Sequence, residues 1–431
     1  MRMTSCVSAV LLALSAATPS SAQRLTEKQF LDDALTDHPR IAAAEAELAG
    51  TSGTRRQAAV LGNPELDWER EDLGSVLRQD TWKLSWRLPF DGRKHRVAGA
   101  DAAVAASEAM VEVTLLDVRL ELRELFAAWY LAGEREQVLK DHLDTTRRLA
   151  EWLRARADQG EAAGVEARRL ELEVEVLSRQ LAEANAETRA RKAAAATWSE
   201  LVTDGSRPER PALAPPPASV DVTDRPDLVA LELGVVEAEA RQRVNKRVLA
   251  PPEITLGWLD LRDDTRSFDG PVFGVTWPVP VFDRNQGSRD AATAEVDRAR
   301  AELEAARRAA LQHAHAALAS YADLYGAVAP GTSFAVEDGV VVAQLAAFEA
   351  GEATLTDVLD GLRTTANVRL ARLDTLAAAL TAERKLEAAV GRPILPGGSS
   401  RGHDTLSRCS PRSRSRPAVF TTMPTTRKNM E

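Results

Sequence analysis

Two periods of hydrophobicity follow one another along this chain, and the succession happens twice. Between residues 64 and 89 the apolar positions come at every second residue. Leu66 and Trp68 alternate with Glu65, Asp67 and Glu69, and Trp82, Leu84, Trp86 and Leu88 alternate with Lys83, Ser85 and Arg87. A step of two marks strands with one apolar face. From residue 93 the period lengthens. Val111, Leu115, Val118, Leu122, Leu125 and Trp129 are spaced four, three, four, three, four, the a/d seam of a coiled coil. Both signals then return. Ile254, Leu256 and Trp258, and after them Phe273, Val275, Trp277 and Val279, repeat the strand pattern, and a second helical stretch begins near Gln286. Trp86-Arg87-Leu88-Pro89 recurs as Trp277-Pro278-Val279-Pro280, and Gly160-Glu161 as Gly351-Glu352, at the same 191-residue offset. Duplicated units of this kind bury their apolar faces against neighbouring copies.

These patterns predict a mainly α chain with a small β part. Each copy reads as a short helix, two strands and two very long helices. The first repeat covers 23–204, with strands near 64–72 and 81–89 and helices near 92–158 and 163–199. The second covers 227–396, with strands near 252–261 and 271–280 and helices near 286–349 and 354–391. Residues 25–37 and 39–61 are expected as helices split at His38-Pro39. Gly160 and Gly351 mark turns between long helices, and Pro330-Gly331 should kink the first helix of the second copy. Six prolines within 205–226 make an extended linker between the copies, and the polar stretches 73–80 and 262–270 read as loops. A helix from 93 to 157 approaches 100 Å at ~1.5 Å per residue, and no compact globule houses it.

Five of the eight tryptophans lie in the four strand segments. Aromatic residues near strand ends, apolar outward positions and polar or small inward ones are the pattern of membrane barrel strands. Trp82, Trp86, Trp258, Phe273 and Trp277 are therefore expected to face lipid, and Ser85 and Thr276 a lumen. A sheet covering a soluble core is the competing reading of the strands alone, and the acidic first strand is the least typical of the four. Four strands cannot enclose a lumen, and open strand edges are not tolerated in lipid. Two chains would supply eight strands, about the smallest membrane barrel, and three chains twelve, enough for a channel. The long helices would pack into a hollow cylinder beneath it.

Compartment and charge narrow the picture. Residues 1–22 read as a secretory signal: Arg2, the apolar run Val7–Ala17, then Ser20-Ser21-Ala22. The run is too short to span a bilayer, and the setting of Cys6 does not suit a lipid anchor. The mature chain then carries Cys409 alone, so no intrachain disulfide is expected. Residues 397–431 are basic, rich in Ser, Pro and Thr and without apolar periodicity, which reads as disorder. The whole chain carries a net charge of −9. Without its two ends the balance falls to about −15, which argues against nucleic acid and suits either a cation-conducting interior or a merely soluble acidic surface.

Catalytic chemistry is not legible. Gly326-x-x-x-x-Gly331-Thr332 lacks the lysine of a phosphate loop, and Ser333 has no nucleophile-elbow context. His313 and His315 are two apart on a helix and point to different faces, a poor metal pair. Neither an enzyme, nor a cofactor, nor a structural metal is expected.

The duplicated strand pairs, the Gly160 and Gly351 turns and Leu355-Thr356-Asp357-Val358-Leu359-Asp360 together resemble the TolC-like outer-membrane efflux family over about residues 25–395. Pro278-Val279-Pro280-Val281-Phe282-Asp283-Arg284-Asn285-Gln286-Gly287 is similar to the outer-membrane component of cobalt–zinc–cadmium-type heavy-metal efflux systems. The resemblance implies a homotrimer in a Gram-negative outer membrane, with a shared twelve-stranded barrel on a periplasmic α-barrel. It implies a periplasmic adaptor and an inner-membrane resistance-nodulation-division pump as partners, and heavy-metal cations as cargo. Ducts for drugs or secreted polypeptides share this fold, and a periplasmic coiled-coil scaffold is the reading from another class. Asp357 and Asp360 match the family's acidic constriction at the periplasmic tip. They are three apart on one helix face, so three chains would gather six carboxylates that attract cations and raise one another's pKa. Where many relatives hold the tip shut with a Tyr and an Arg, this chain has Phe348 and Ala353.

Overall fold

The structure is a computed structural model. It describes residues 24–394 except 75–76, 89–91, 160–163, 248–249, 264 and 329–334, and omits the side chains of 335–338. The expected signal segment, the basic tail, Gly160 and Pro330-Gly331 lie outside the described residues.

The chain order is β1 (Arg24–Leu25), α1 (Glu27–Ala34), α2 (Pro39–Ala59), β2 (Glu65–Asp72), β3 (Arg78–Arg87), α3 (Arg93–Asp158) and α4 (Gly164–Ala196). Then come β4 (Arg207–Pro208), α5 (Pro226–Asn245), β5 (Glu253–Arg262), β6 (Ser267–Thr276), α6 (Gln286–Val328), α7 (Ala335–Glu349) and α8 (Leu355–Val390). The succession α2-β2-β3-α3-α4 is matched by α5-β5-β6-α6/α7-α8. The four longer strands form one antiparallel sheet in the order β2-β3-β5-β6, and the two copies meet at β3 and β5.

Helix α3 has 66 residues, about 100 Å at ~1.5 Å per residue. Its seam is buried in part as the spacing predicts. Val118, Leu122 and Trp129, joined by Phe126, are buried with Phe30 and Leu31 of α1 and with Ala195 and Val202, while Val111, Leu115 and Leu125 are half-buried. Farther along, Leu149 and Leu153 pack with Leu170 of α4 and with Leu355, Val358, Leu359 and Leu362 of α8. Local chemistry fixes several ends. Thr26 and Gln29 form a reciprocal capping box on α1, as Thr354 and Asp357 do on α8. Pro39 and Pro226 occupy first-turn positions, where a missing N–H costs nothing.

Several boundaries differ from expectation. Leu25 is not helical; it lies in β1, a two-residue parallel pair with β4, which ties the start of the chain to the linker. The β3 and β6 strands begin at Arg78 and Ser267, inside the expected loops, and end at Arg87 and Thr276. Their early parts carry charge or glycine, so apolar alternation does not mark them. They pair nonetheless, through ladder bonds and cross-strand contacts such as Arg70–Asp80 at 2.6 Å. An Asp263 carboxylate that accepts from the Thr265 and Arg266 amides closes the second hairpin. Trp277–Pro280 leaves the strand because Pro278 and Pro280 cannot donate to a ladder.

Candidate functional site

The sheet sorts its side chains into two chemically different faces. On one face successive rows run across the strands. Trp86, Ile254 and Val275 form a row; Leu66, Leu84, Leu256 and Phe273 the next; Trp68, Trp82, Trp258 and Pro271 the third. These side chains are exposed, Phe273 to 76% and Trp82 and Trp258 to 49%. The fourth row is charged: Arg70, Asp80, Asp260 and Asp269, with Arg70 bonded to Asp80 and Arg262 to Asp260. A tryptophan row therefore separates an apolar band from a charged rim, the order found at a membrane–water boundary.

The opposite face is mostly polar or small, with Leu259, Leu261, Phe268 and Val272 as its apolar members. Glu65, Asp67, Glu69 and Glu71 stand in a column on β2, next to Ser85, Lys83, Thr81 and Gln79 on β3. Lys83 pairs with Glu69 at 3.2 Å, and Ser85 and Thr255 share a hydrogen bond of 3.0 Å. Gly257 sits where a Cβ would come within 2.5 Å of the Trp82 carbonyl oxygen, so this close approach needs glycine.

Trp86 and Trp277, expected to face lipid, are exposed on the apolar side but also hold the sheet to the helices. The Trp86 indole N–H donates to the Gly62 carbonyl at 2.9 Å, and that of Trp277 to the Ala250 carbonyl at 3.1 Å. The same brace thus occurs in both copies, across the junction between each short helix and its first strand.

At the far end, α7 closes on Gly351, whose φ of 78° suits glycine, and α8 restarts after the Thr354 cap. Asp357 and Asp360 are both exposed there while Val358 and Leu359 are buried. Asp357 has a local task. Its carboxylate accepts from the Thr354 hydroxyl at 2.6 Å and the Thr354 amide at 2.8 Å, and these bonds hold its pKa below the usual carboxylate value. Within one chain this runs opposite to the rise expected from crowding, which requires further copies. Asp360 makes no such bond; Arg363, one position past Leu362 on the same helix, pairs instead with Glu173 of α4 at 2.6 Å. Phe348 is not idle either. Its ring meets Trp152 of α3 with centroids 5.6 Å apart, and the Arg156 guanidinium lies 4.8 Å over the same indole.

A buried ionic hub was missed by the sequence reading. Arg123 of α3 bonds to Glu27 of α1 at 2.6 Å, to Glu383 of α8 at 2.9 Å, and to Glu387. Glu383 also accepts from the Ala214 amide, Glu387 from the Ile394 amide, and the Tyr321 hydroxyl donates to the Ala214 carbonyl. Burial alone would lower the Arg123 pKa, but Glu27, Glu387 and Glu383 raise it on balance. Burial raises that of Glu383, against the pull of the Ala214 amide and Arg123. A signal did exist: Glu383 and Glu387 put like charges at i, i+4 among the apolar Leu380, Leu386 and Val390, an arrangement that is unfavourable without a cation between them.

Among the described residues no group of three or more His, Cys, Asp or Glu could hold a metal ion, and no helix is long and apolar enough to cross a membrane. His313 and His315 are both exposed on α6.

No family model matches the chain. Two curated proteins do. The cobalt-zinc-cadmium resistance protein CzcC of Cupriavidus metallidurans is 27% identical over 85% of this chain and 90% of its own length. The nickel-cobalt-cadmium resistance protein NccC of Alcaligenes xylosoxydans xylosoxydans is 24% identical over 72% of this chain and 75% of its own. Among solved structures, the CmeC outer membrane channel of Campylobacter jejuni superposes with a TM-score of 0.68 at 13% identity, covering 95% of this chain and 97% of that one. In its duplicated strand pairs and long helical hairpins the chain shares the fold of outer-membrane channels such as CmeC, and in sequence it is similar to the metal-resistance proteins CzcC and NccC.

Proposed function

We propose that the protein is the outer-membrane component of a tripartite efflux pump, a passive exit duct for heavy-metal cations. One observation carries the reading. A single sheet exposes an apolar face three rows deep and leaves both edges, β2 and β6, unpaired. Such a sheet is stable in lipid only if copies of it close into a barrel. Three chains give the twelve-stranded barrel, with Trp82, Trp86, Trp258, Phe273 and Trp277 toward lipid and the Glu65–Glu71 face toward water. The long helices then form the periplasmic conduit, and the metal-resistance relatives CzcC and NccC support cobalt, zinc, cadmium or nickel as cargo.

Asp357 and Asp360 form the constriction at the conduit's inner mouth. Asp360 is the freer of the two, since Asp357 also caps α8. A periplasmic adaptor and a resistance-nodulation-division pump dock at this end. The duct does no chemistry: it lowers the barrier for ions by offering water and carboxylates in place of hydrocarbon.

Two measurements test this. Detergent-extracted protein run unheated on a gel should migrate as a trimer and collapse to a monomer on boiling. Cells that lack the protein should accumulate cadmium or cobalt and recover on complementation. A soluble monomer in the periplasmic fraction would refute the membrane reading, and unchanged metal accumulation would refute the cargo.

A further inference from the structure

The two open edges of the sheet are chemically unlike, and each is poorly suited to a copy of itself. Their backbone polarity follows from the ladder. The Leu88 amide donates to the Pro252 carbonyl, and the Asp263 amide to the Arg266 carbonyl. Bonded and non-bonded pairs alternate along antiparallel strands. With the β3–β5 and β5–β6 registers, Trp258 therefore directs its backbone toward β3, and Pro271, its partner on β6, directs its own away from β5 to the open edge. At that point the edge has a carbonyl and no amide donor. On the other side, the Leu73 amide donates to the Leu77 carbonyl, which turns the odd-numbered residues of β2 toward β3. Leu66, Trp68 and Arg70 then present both backbone groups to the open edge of β2.

Side chains add a second asymmetry. Glu65, Asp67, Glu69 and Glu71 share one face of β2, and only Glu69 has an ion-pair partner among the described residues. On the same face β6 carries Gly270, Val272, Gly274 and Thr276.

We propose that these features reject self-pairing, so that β6 of one copy accepts only β2 of the next. This rests on the shared-barrel reading given above. Joining β6 to β6 would bring two prolines into one ladder and lose two donors, where β6 on β2 loses one. Joining β2 to β2 would set carboxylates directly across from carboxylates about 5 Å apart, which destabilises a strand pair. The mixed contact sets the carboxylate column against glycines, a valine and a threonine, with no like charge opposed. Isologous contacts give two-fold dimers, whereas head-to-tail contacts give rings. Pro271 and the acidic column therefore steer exported chains away from dead-end dimers and into a closed barrel.

The test uses full-length protein in a Cys409→Ser background, extracted in detergent and treated with a mild oxidant. Phe273→Cys reports contact between two β6 edges, and Leu66→Cys contact between two β2 edges. With neither edge altered, neither reporter should give a disulfide-linked dimer, and unheated gels should show trimer. Pro271→Val should make the β6 reporter dimer appear at several times background. Neutralising the column (Glu65→Gln, Asp67→Asn, Glu69→Gln, Glu71→Gln) should do the same for the β2 reporter. Homotypic dimers in the unaltered protein, or altered edges that still give none, would overturn the proposal while leaving a shared barrel intact. Failure of the unaltered chain to form any trimer would instead strike at the barrel reading itself.

Discussion

Replacing Arg123 by methionine keeps most of the side chain's volume and removes the charge that holds Glu27, Glu383 and Glu387 together. Side-chain exposure at this cluster is 3% for Arg123, 0% for Glu383 and 1% for Glu387. Removing one partner of a buried ion pair costs about 3–5 kcal/mol, because the remaining charge stays desolvated. Spread over a chain of this size, that lowers the midpoint of thermal unfolding by roughly 4–6 °C. The pH dependence has a definite sign. Burial already raises the Glu383 pKa, and losing the cation raises it further. A carboxyl whose folded pKa exceeds its unfolded value favours the native state at low pH and loses that contribution as pH rises through the folded pKa. The deficit of Arg123→Met should therefore be largest near neutrality and shrink toward pH 5. Adding Glu383→Gln and Glu387→Gln should recover part of it at neutral pH. Helical circular dichroism of the detergent-extracted protein, melted at several pH values, reads this directly. A midpoint within a degree of the parent at neutral pH, or a deficit that does not change with pH, would refute the reasoning.

Arg at Val275, on the exposed apolar face, should cost about 2–4 kcal/mol near the bilayer midplane, whereas Arg at Thr276 should be far milder; heat stability of the extracted trimer separates them, and equal tolerance counts against the facing. Asp360→Asn should weaken cation selectivity and divalent block in planar-bilayer recordings, with Asp357→Asn adding to the effect, and parental selectivity in the double variant would place the constriction elsewhere. Gly257→Ala puts a methyl against the Trp82 carbonyl and must move backbone, so the yield of folded, membrane-inserted protein should drop on fractionation, with Gly270→Ala as the open-space control.

Periodic features were legible and aperiodic ones were not. The seam of α3 and the tryptophan strands repeat at fixed steps, so residues such as Val118, Leu122, Trp82 and Trp258 could be placed on a face from spacing alone. Arg78–Asp80 and Ser267–Gly270 joined strands without any apolar alternation, because ladder bonds and charge pairs hold them. Asp357 and Asp360 could be set on one helix face from their spacing, but the capping bond between Asp357 and Thr354 depends on a backbone geometry that spacing does not specify. Phe348 looked like a lost latch in sequence because its partner, Trp152, lies in the other copy of the repeat. The Arg123 hub joins parts of the chain too far apart for any window to connect.

That distance has a consequence for biogenesis. Arg123 and Glu387 are 264 residues apart, and Arg123 and Glu27 are 96 apart. Contacts of such long range form late, since the chain entropy of closing the loop is spent before they return anything. During synthesis α1 and α3 emerge well before α8. Until α8 follows, Arg123 has Glu27 but lacks the two carboxylates that complete its set, and the Tyr321 and Ala214 bonds beside it have no Glu383 to join. The hub therefore works as a completion check: a chain truncated before residue 383 cannot close it. Such a chain leaves Arg123 open to water with Glu27 as its one carboxylate from the hub, and the contact between α1 and the rest of the molecule loosely held.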